Sequence, residues 1–346
     1  MPRAVSLFSG AGGMDLGFIR AGFNIVWAND FNRAACDTHA QNFPRTYIHC
    51  GSIMDVDYEH DIPDCELVFG GPPCQGFSVA GRMDPNDPRS KLIFEFQKVV
   101  AAKHPQYFVM ENVAALARLE KFAPVRNALL AEYERMGYRV EYRVLNSQEY
   151  NTPQRRERMI LIGTLDPECT IPFPRSRRQR ISARQAIQWL DPAGQGNNQG
   201  VCAATITMAQ NPVMRASPYA GMLFNGLGRP IDLNRPCQTL PASMGGNKTP
   251  FIDTSLLANP NAPDWLAATH QALMNGANPN NFVVPPQFRR ITVSEAAALQ
   301  GFPADFQFCG SQCDKYKQIG NSVPPPFAYC IARSVMTRMR PTRARH

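Results

Sequence analysis

Five short apolar runs punctuate the first half of the chain: Ala4–Phe8, Asn24–Trp27, Glu66–Phe69, Tyr107–Met110 and Met159–Ile162. Their lengths and flanking turn residues predict buried strands. Between them the apolar positions follow a helical period. In Ser90–His104, residues Leu92, Ile93, Phe96, Val99 and Val100 share one face, which predicts an amphipathic helix. Strands and helices alternating in this way predict an α/β fold with a mostly parallel sheet covered on both faces. Ligands of such sheets bind beyond the carboxyl ends of the strands. After about residue 170 the periodicity fades into Pro, Gly and Asn, as in DPAGQGNNQG, NGLGRP and NGANPNN. Helical order returns with Thr292–Gln300 and Pro326–Met339. The expected organisation is a first domain over 1–170, completed by 287–346, with a loop-rich domain inserted over 171–286.

The 346 residues suffice for this plan, and 44% hydrophobic with 18% charged residues is ordinary for a soluble protein. No apolar run is long enough to span a membrane, and MPRAVSLFSG lacks the features of a secretory signal. A cytoplasmic protein is expected. A net charge of +8 favours a polyanionic partner, or else a basic surface with none. Arg175, Arg177, Arg178 and Arg180 concentrate that charge, as do Arg338, Arg340, Arg343 and Arg345 in the tail. Ten cysteines without a targeting signal imply reduced thiols. Cys309 and Cys313 lack zinc-site company and read as packing residues; no metal is expected.

Six segments carry candidate chemistry. FSGAGGMDLGF (Phe8–Phe18) follows the first strand, and Gly10, Gly12 and Gly13 let backbone approach a ligand. A dinucleotide-binding loop would look similar. The second strand leads into Asn29-Asp30, where a carboxylate can accept ribose hydroxyls or cap the next helix. GGPPCQGFS (Gly70–Ser78) is more specific. Two prolines stiffen the backbone before Cys74, so its thiol is presented on a loop at a ligand-bearing strand end, as for a nucleophile. Glu111, in ENV, ends another strand as a helix cap or general acid. In QRRERMI, residues Gln154, Arg156 and Arg158 alternate and should share one face, unless this is a solvated basic edge. QIGNSVPPP (Gln318–Pro326) has a Gly-Asn turn and a proline run before the last helix, and by itself reads as no more than a helix-entry loop.

Taken together and in this order, PPCQGFS, ENV, QRRER and GNSVPP resemble the bacterial type of the cytosine-5 DNA methyltransferase family, over residues 4–163 and 287–338. The resemblance implies a Rossmann-like S-adenosylmethionine-dependent methyltransferase sheet with an inserted, smaller target-recognition domain. It implies Cys74 as the nucleophile on carbon 6 of cytosine, Glu111 as the group at ring nitrogen 3, and Arg158, beside Arg156, at the base carbonyl. S-adenosyl-L-methionine contacts fall on Phe8, Ser9, Gly10, Gly12, Gly13, Asn29, Asp30, Ser52, Ile53, Gly71, Pro72, Asn321, Ser322 and Val323. Family members often carry Asp in a Gly-Asp-Ile segment, whereas this chain has Gly51-Ser52-Ile53. The serine can still accept a hydrogen bond, without charge, so cofactor binding should survive in weaker form.

The implied partner is double-stranded DNA, whose target base must be turned out of the stack. Gln75, Ser78 and Arg89 would meet it near the nucleophile. In RPCQTLPASMGGNKTPF, residues Arg235, Gln238, Thr239, Ser243, Asn247 and Lys248 would reach bases or phosphates, or form only a polar turn. Relatives acting on transfer RNA carry a Cys-Phe-Thr segment that this chain lacks. The first strand begins near residue 4, so no regulatory domain is expected before the catalytic core. A monomer serving restriction–modification beside a cognate endonuclease, or a solitary methylase, fits this plan.

Overall fold

In the computed structural model the described residues are 1–73 and 92–339. Cys74, Gln75, Ser78, Arg89, Arg340, Arg343 and Arg345 lie outside them. The chain divides into two compact units. Met1–Tyr150, Glu157–Arg177 and Val323–His346 form the first, and Asn151–Arg156 with Arg178–Ser322 the second.

The strands of the first unit are β1 (Arg3–Leu7), β2 (Asn24–Asp30), β3 (Tyr47–Cys50), β4 (Leu67–Gly70), β5 (Tyr107–Val113) and β6 (Arg139–Asn146). Next come β7 (Gln154–Arg155), which belongs to the second unit, and β8 (Glu157–Thr164) of the first. The helices are α1 (Gly13–Arg20), α2 (Arg33–Asn42), α3 (Leu92–Lys103), α4 (Ala114–Arg118) and α5 (Ala123–Arg135) in the first unit. The second has α6 (Ala183–Ile187), α7 (Thr254–Ala258), α8 (Trp265–Met274), α9 (Val293–Gln300) and α10 (Gln312–Asn321), and α11 (Pro325–Met336) returns to the first.

One seven-stranded sheet runs in the order β3-β2-β1-β4-β5-β8-β6. β1 to β5 are parallel, and β8 lies antiparallel between β5 and β6. The basic-edge alternative for QRRERMI therefore falls over Glu157–Ile160, since β8 is an interior strand. Successive residues of the central strands enter different cores. Val68, Phe108 and Met110 pack with α3 and α5, while Leu67, Phe69, Tyr107 and Val109 pack with α1 and α11. Both faces being apolar, these strands read as unbroken apolar runs. The order reverses between β1 and β4, and that crevice is where ligands of open α/β sheets bind.

In the second unit, β9 (Met208–Val213) pairs with β10 (Met222–Phe224), β11 (Cys237–Gln238) with β7, and β12 (Phe251–Asp253) with β13 (Phe288–Arg290). Residues 287–322, expected with the first domain, sort here. The reason is a shared core in which Val293, Ala296 and Leu299 of α9 and Tyr316 and Ile319 of α10 pack with Ile187, Leu240 and Met244. Arg290 is 1% exposed. Its guanidinium donates to the carbonyls of Thr249 (2.6 Å), Ala204 (3.3 Å) and Thr205 (3.4 Å), and to Asn225 Oδ1.

Candidate active site

The end of β1 opens into a loop with unusual backbone. Phe8, Gly10 and Gly12 have φ of 54°, 55° and 85°, the left-handed region that side chains other than Gly rarely adopt. At Gly12 an added Cβ would also lie 2.2 Å from the Phe43 ring, while at Gly10 it would meet nothing within 4 Å. Gly12 is thus fixed by packing, and Gly10 by an open approach to the backbone. The loop is tied to the end of β2. Ser9 N–H donates to the Asn29 carbonyl at 2.8 Å, and Gly10 N–H to Asp30 Oδ2 at 2.8 Å.

Asp30 Oδ1 accepts the Asn32 N–H at 2.8 Å. The helix cap itself is Asn32, whose side chain accepts from Ala35 N–H at 3.0 Å, so Asp30 is not spent on capping α2. Burial pushes its carboxyl above the ordinary range, opposed by the N–H groups of Asn32 and Gly10. Asn29 is 1% exposed and donates to the carbonyls of His49 and Gly51, bracing the next segment rather than reaching outward. There Ser52 Oγ accepts from Met54 N–H at 3.2 Å, and Ile53 is in the core. Phe31, which sequence reasoning passed over, is 72% exposed directly after Asp30.

The ends of β4 and β5 hold the second cluster. In the β5–β8 register Glu111 opposes Ile160 and Val113 opposes Arg158. Glu111 and Arg158 are therefore diagonal neighbours on one face. Arg158 Nε lies 2.8 Å from Glu111 Oε1, with the side chains 15% and 12% exposed. An added Cβ on Gly71 would stand 3.0 Å from Glu111 Oε2, so the carboxylate sits over the start of the Gly71-Pro72-Pro73 segment. Asn112 donates to the Pro72 carbonyl at 3.4 Å. This tether lay within ENV, but only its neighbour Glu111 drew a role from the sequence. Carboxylate, guanidinium and amide converge where the chain runs on to Cys74, which lies outside the described residues.

Three expected contact residues of the second unit turn out to be braces. Arg156, grouped with the catalytic residues, is 4% exposed and donates to the carbonyls of Gly320 (3.0 Å) and Asn321 (3.4 Å). Thr239 Oγ1 donates to the Arg155 carbonyl at 2.8 Å, and Gln238 Nε2 donates to the Tyr219 carbonyl. GNSVPP is more than a turn into a helix: Gly320-Asn321 ends α10, Ser322 Oγ returns to the Gln318 carbonyl at 2.7 Å, and Pro325 opens α11. A Cβ on Gly320 would lie 2.5 Å from the Pro241 carbonyl oxygen, so only glycine lets α10 press on the Thr239–Ser243 segment. Val323 resumes the first unit, in its core. Arg235, Ser243, Asn247 and Lys248 are exposed. The turn bearing the last two is pinned from below, Gly245 N–H donating to Thr249 Oγ1 at 2.8 Å and Arg290 to the Thr249 carbonyl.

Among the described residues no group of three or more His, Cys, Asp or Glu could hold a metal ion, and no helix is long and apolar enough to cross a membrane. The family described as C-5 cytosine-specific DNA methylase matches residues 3–337. The chain is 31% identical over 340 residues to the type II methyltransferase M.FnuDI of Fusobacterium nucleatum, covering 96% of this chain and 94% of that one. It is 30% identical over 338 residues to the type II methyltransferase M.NgoPII of Neisseria gonorrhoeae, covering 96% and 95%. The crystal structure of the S. pombe Dnmt2 methyltransferase shares the fold, with a TM-score of 0.66 at 17% identity over 97% of this chain and 98% of that one.

Proposed function

The chain belongs to the C-5 cytosine-specific DNA methylase family, and on that premise we propose that it uses S-adenosyl-L-methionine to methylate a cytosine turned out of double-stranded DNA. The observation that carries this reading is the Glu111–Arg158 pair set over Gly71-Pro72, at the same sheet end as the Gly10–Asp30 loop.

The loop suits an adenosine-bearing cofactor. Gly10 leaves space that a side chain would fill. Asp30, ionised, has acceptor capacity beyond the two N–H groups it holds, available to ribose hydroxyls. The exposed ring of Phe31 offers an apolar face to adenine, and Ser52 and Ile53 complete that side. When bound, S-adenosylmethionine supplies an electrophilic methyl group.

Carbon 5 of cytosine is a weak nucleophile until conjugation is broken. The Cys74 thiolate adds to carbon 6, forming a C–S bond and making carbon 5 enamine-like. Glu111 gives a proton to nitrogen 3, or hydrogen-bonds there, and so drains the developing charge. Arg158 holds the other carboxyl oxygen and fixes its aim. After methylation a base removes the carbon 5 proton and the thiolate leaves. Arg156 acts at a distance, positioning the 320–321 backbone. Arg235, Ser243, Asn247 and Lys248 read bases or phosphates, with Gln75, Ser78 and Arg89 nearer the flipped base. The protein acts in the cytoplasm as a monomer, and its similarity to type II methyltransferases favours a place beside a cognate endonuclease.

Bisulfite sequencing of DNA from a methylation-free host tests this. Expression should protect cytosines at one short sequence, and Cys74→Ser should protect none. Unprotected DNA despite soluble protein that binds S-adenosylmethionine would transfer the proposal to RNA or to silent DNA binding.

A further inference from the structure

Two thiols flank the cofactor loop without a part in the methylation chemistry. Cys36, in the first turn of α2, is 3% exposed, and its Sγ donates to the Asp30 carbonyl at 3.2 Å. The same carbonyl accepts the Gly51 N–H at 3.0 Å. Cys50 is the last residue of β3, exposed, and the register partner of Asp30. Both cysteines therefore border one peptide unit. Burial is the main cause that pushes the Cys36 thiol up, and the neighbouring Cys50 and Asp30 push it the same way.

We propose that Cys36 and Cys50 form an oxidative modification site that hydrogen peroxide closes to a disulfide, weakening cofactor binding. The consequence rests on the cofactor reading above. The exposed Cys50 thiolate attacks the peroxide O–O bond, giving a sulfenic acid and hydroxide, which takes up the thiol's proton as water. The Cys36 sulfur then attacks the sulfenic sulfur. The S–S bond forms, the S–O bond breaks, and the hydroxyl leaves with the Cys36 proton as a second water. Two thiols are oxidised and one peroxide is reduced, with no other reagent.

Closing this bond takes Cys36 Sγ off the Asp30 carbonyl and ties α2 to the end of β3. Asp30, the last residue of β2, is bonded to Cys36 through its carbonyl, and Ser52 follows Cys50 closely, so the link pulls on the segments that would hold ribose and adenine. Cofactor affinity should fall about tenfold, within the usual span of coupling between two sites.

The test uses the full chain carrying Cys74→Ser, which removes the proposed nucleophile from the peroxide chemistry. After peroxide and thiol blocking, non-reducing peptide mass mapping should find Cys36 joined to Cys50. Calorimetry with S-adenosylmethionine should show the weaker Kd, restored by dithiothreitol. Adding Cys50→Ser should leave the reduced affinity intact and abolish the peroxide effect. An absent cross-link, or a cross-linked protein of unchanged affinity, would overturn the inference. Reduced protein that fails to bind S-adenosylmethionine would instead sink the cofactor reading, and the claimed consequence with it, while the mapped peptide still decides the thiol chemistry.

Discussion

At the end of β5, Glu111 and Arg158 are largely buried and bonded to each other. In the second unit, Asn247 and Lys248 stand in solvent on a turn whose underside is gripped by Thr249 and the buried Arg290. The first arrangement fixes the proposed reacting group itself, through strand register and an ion pair. The second fixes only the platform and leaves the tips to be exchanged. The proposed methylation chemistry needs the first arrangement, and the proposed contact with DNA needs the second.

Breaking the buried pair should cost most. Glu111→Gln keeps shape but cannot supply a proton, and kcat should drop about 10²–10⁴-fold, the range for general acid–base catalysis. Calorimetry on the same variant should find S-adenosylmethionine affinity unchanged, because Glu111 does not belong to the Gly10–Asp30 loop. Removing the grip beneath the turn comes next. Arg290→Met strands the carbonyls of Thr249, Ala204 and Thr205, and urea denaturation should show about 2–4 kcal/mol lost, from the cost of unsatisfied buried acceptors.

Asp30→Asn should weaken S-adenosylmethionine by about tenfold, since a charge-assisted hydrogen bond is roughly twice as strong as a neutral one. The pH dependence has a definite sign. Burial raises the Asp30 pKa, so protonation sets in at a higher pH than for an ordinary aspartate. Cofactor affinity should therefore decline on acidification from neutral pH in the wild type, and stay flatter in Asp30→Asn. The tips should respond least. Lys248→Ala should weaken all DNA sequences alike by about 1 kcal/mol or less and flatten the salt dependence, whereas Asn247→Ala should relax the preference at one base pair. Methylation profiling at two salt concentrations separates these outcomes.

The same contrast governs what the sequence could disclose. β1, β4, β5 and β8 lie inside the sheet and announce themselves as apolar runs. β3 and β6 lie at its edges, half-exposed and mixed in composition, and no apolar run marks them. α10 was missed because QCDKYKQIGN is mostly polar, though Tyr316 and Ile319 are fully buried. Residue types at strand ends pointed to Glu111, Arg158 and Asp30. They could not tell a ligand from a brace: Asn29, Arg156, Gln238 and Thr239 have the chemistry of contact residues but are occupied with backbone carbonyls. Spacing fixes which face a side chain takes, and only the fold supplies its partner.

The most direct test of the proposed chemistry is covalent trapping on duplex DNA carrying 5-fluorocytosine at the methylated position, where the final elimination cannot occur. The account predicts a denaturation-resistant protein–DNA complex for the wild type, none for Cys74→Ser, and much slower formation for Glu111→Gln. A complex formed by Cys74→Ser, or trapping by Glu111→Gln at the wild-type rate, would contradict it.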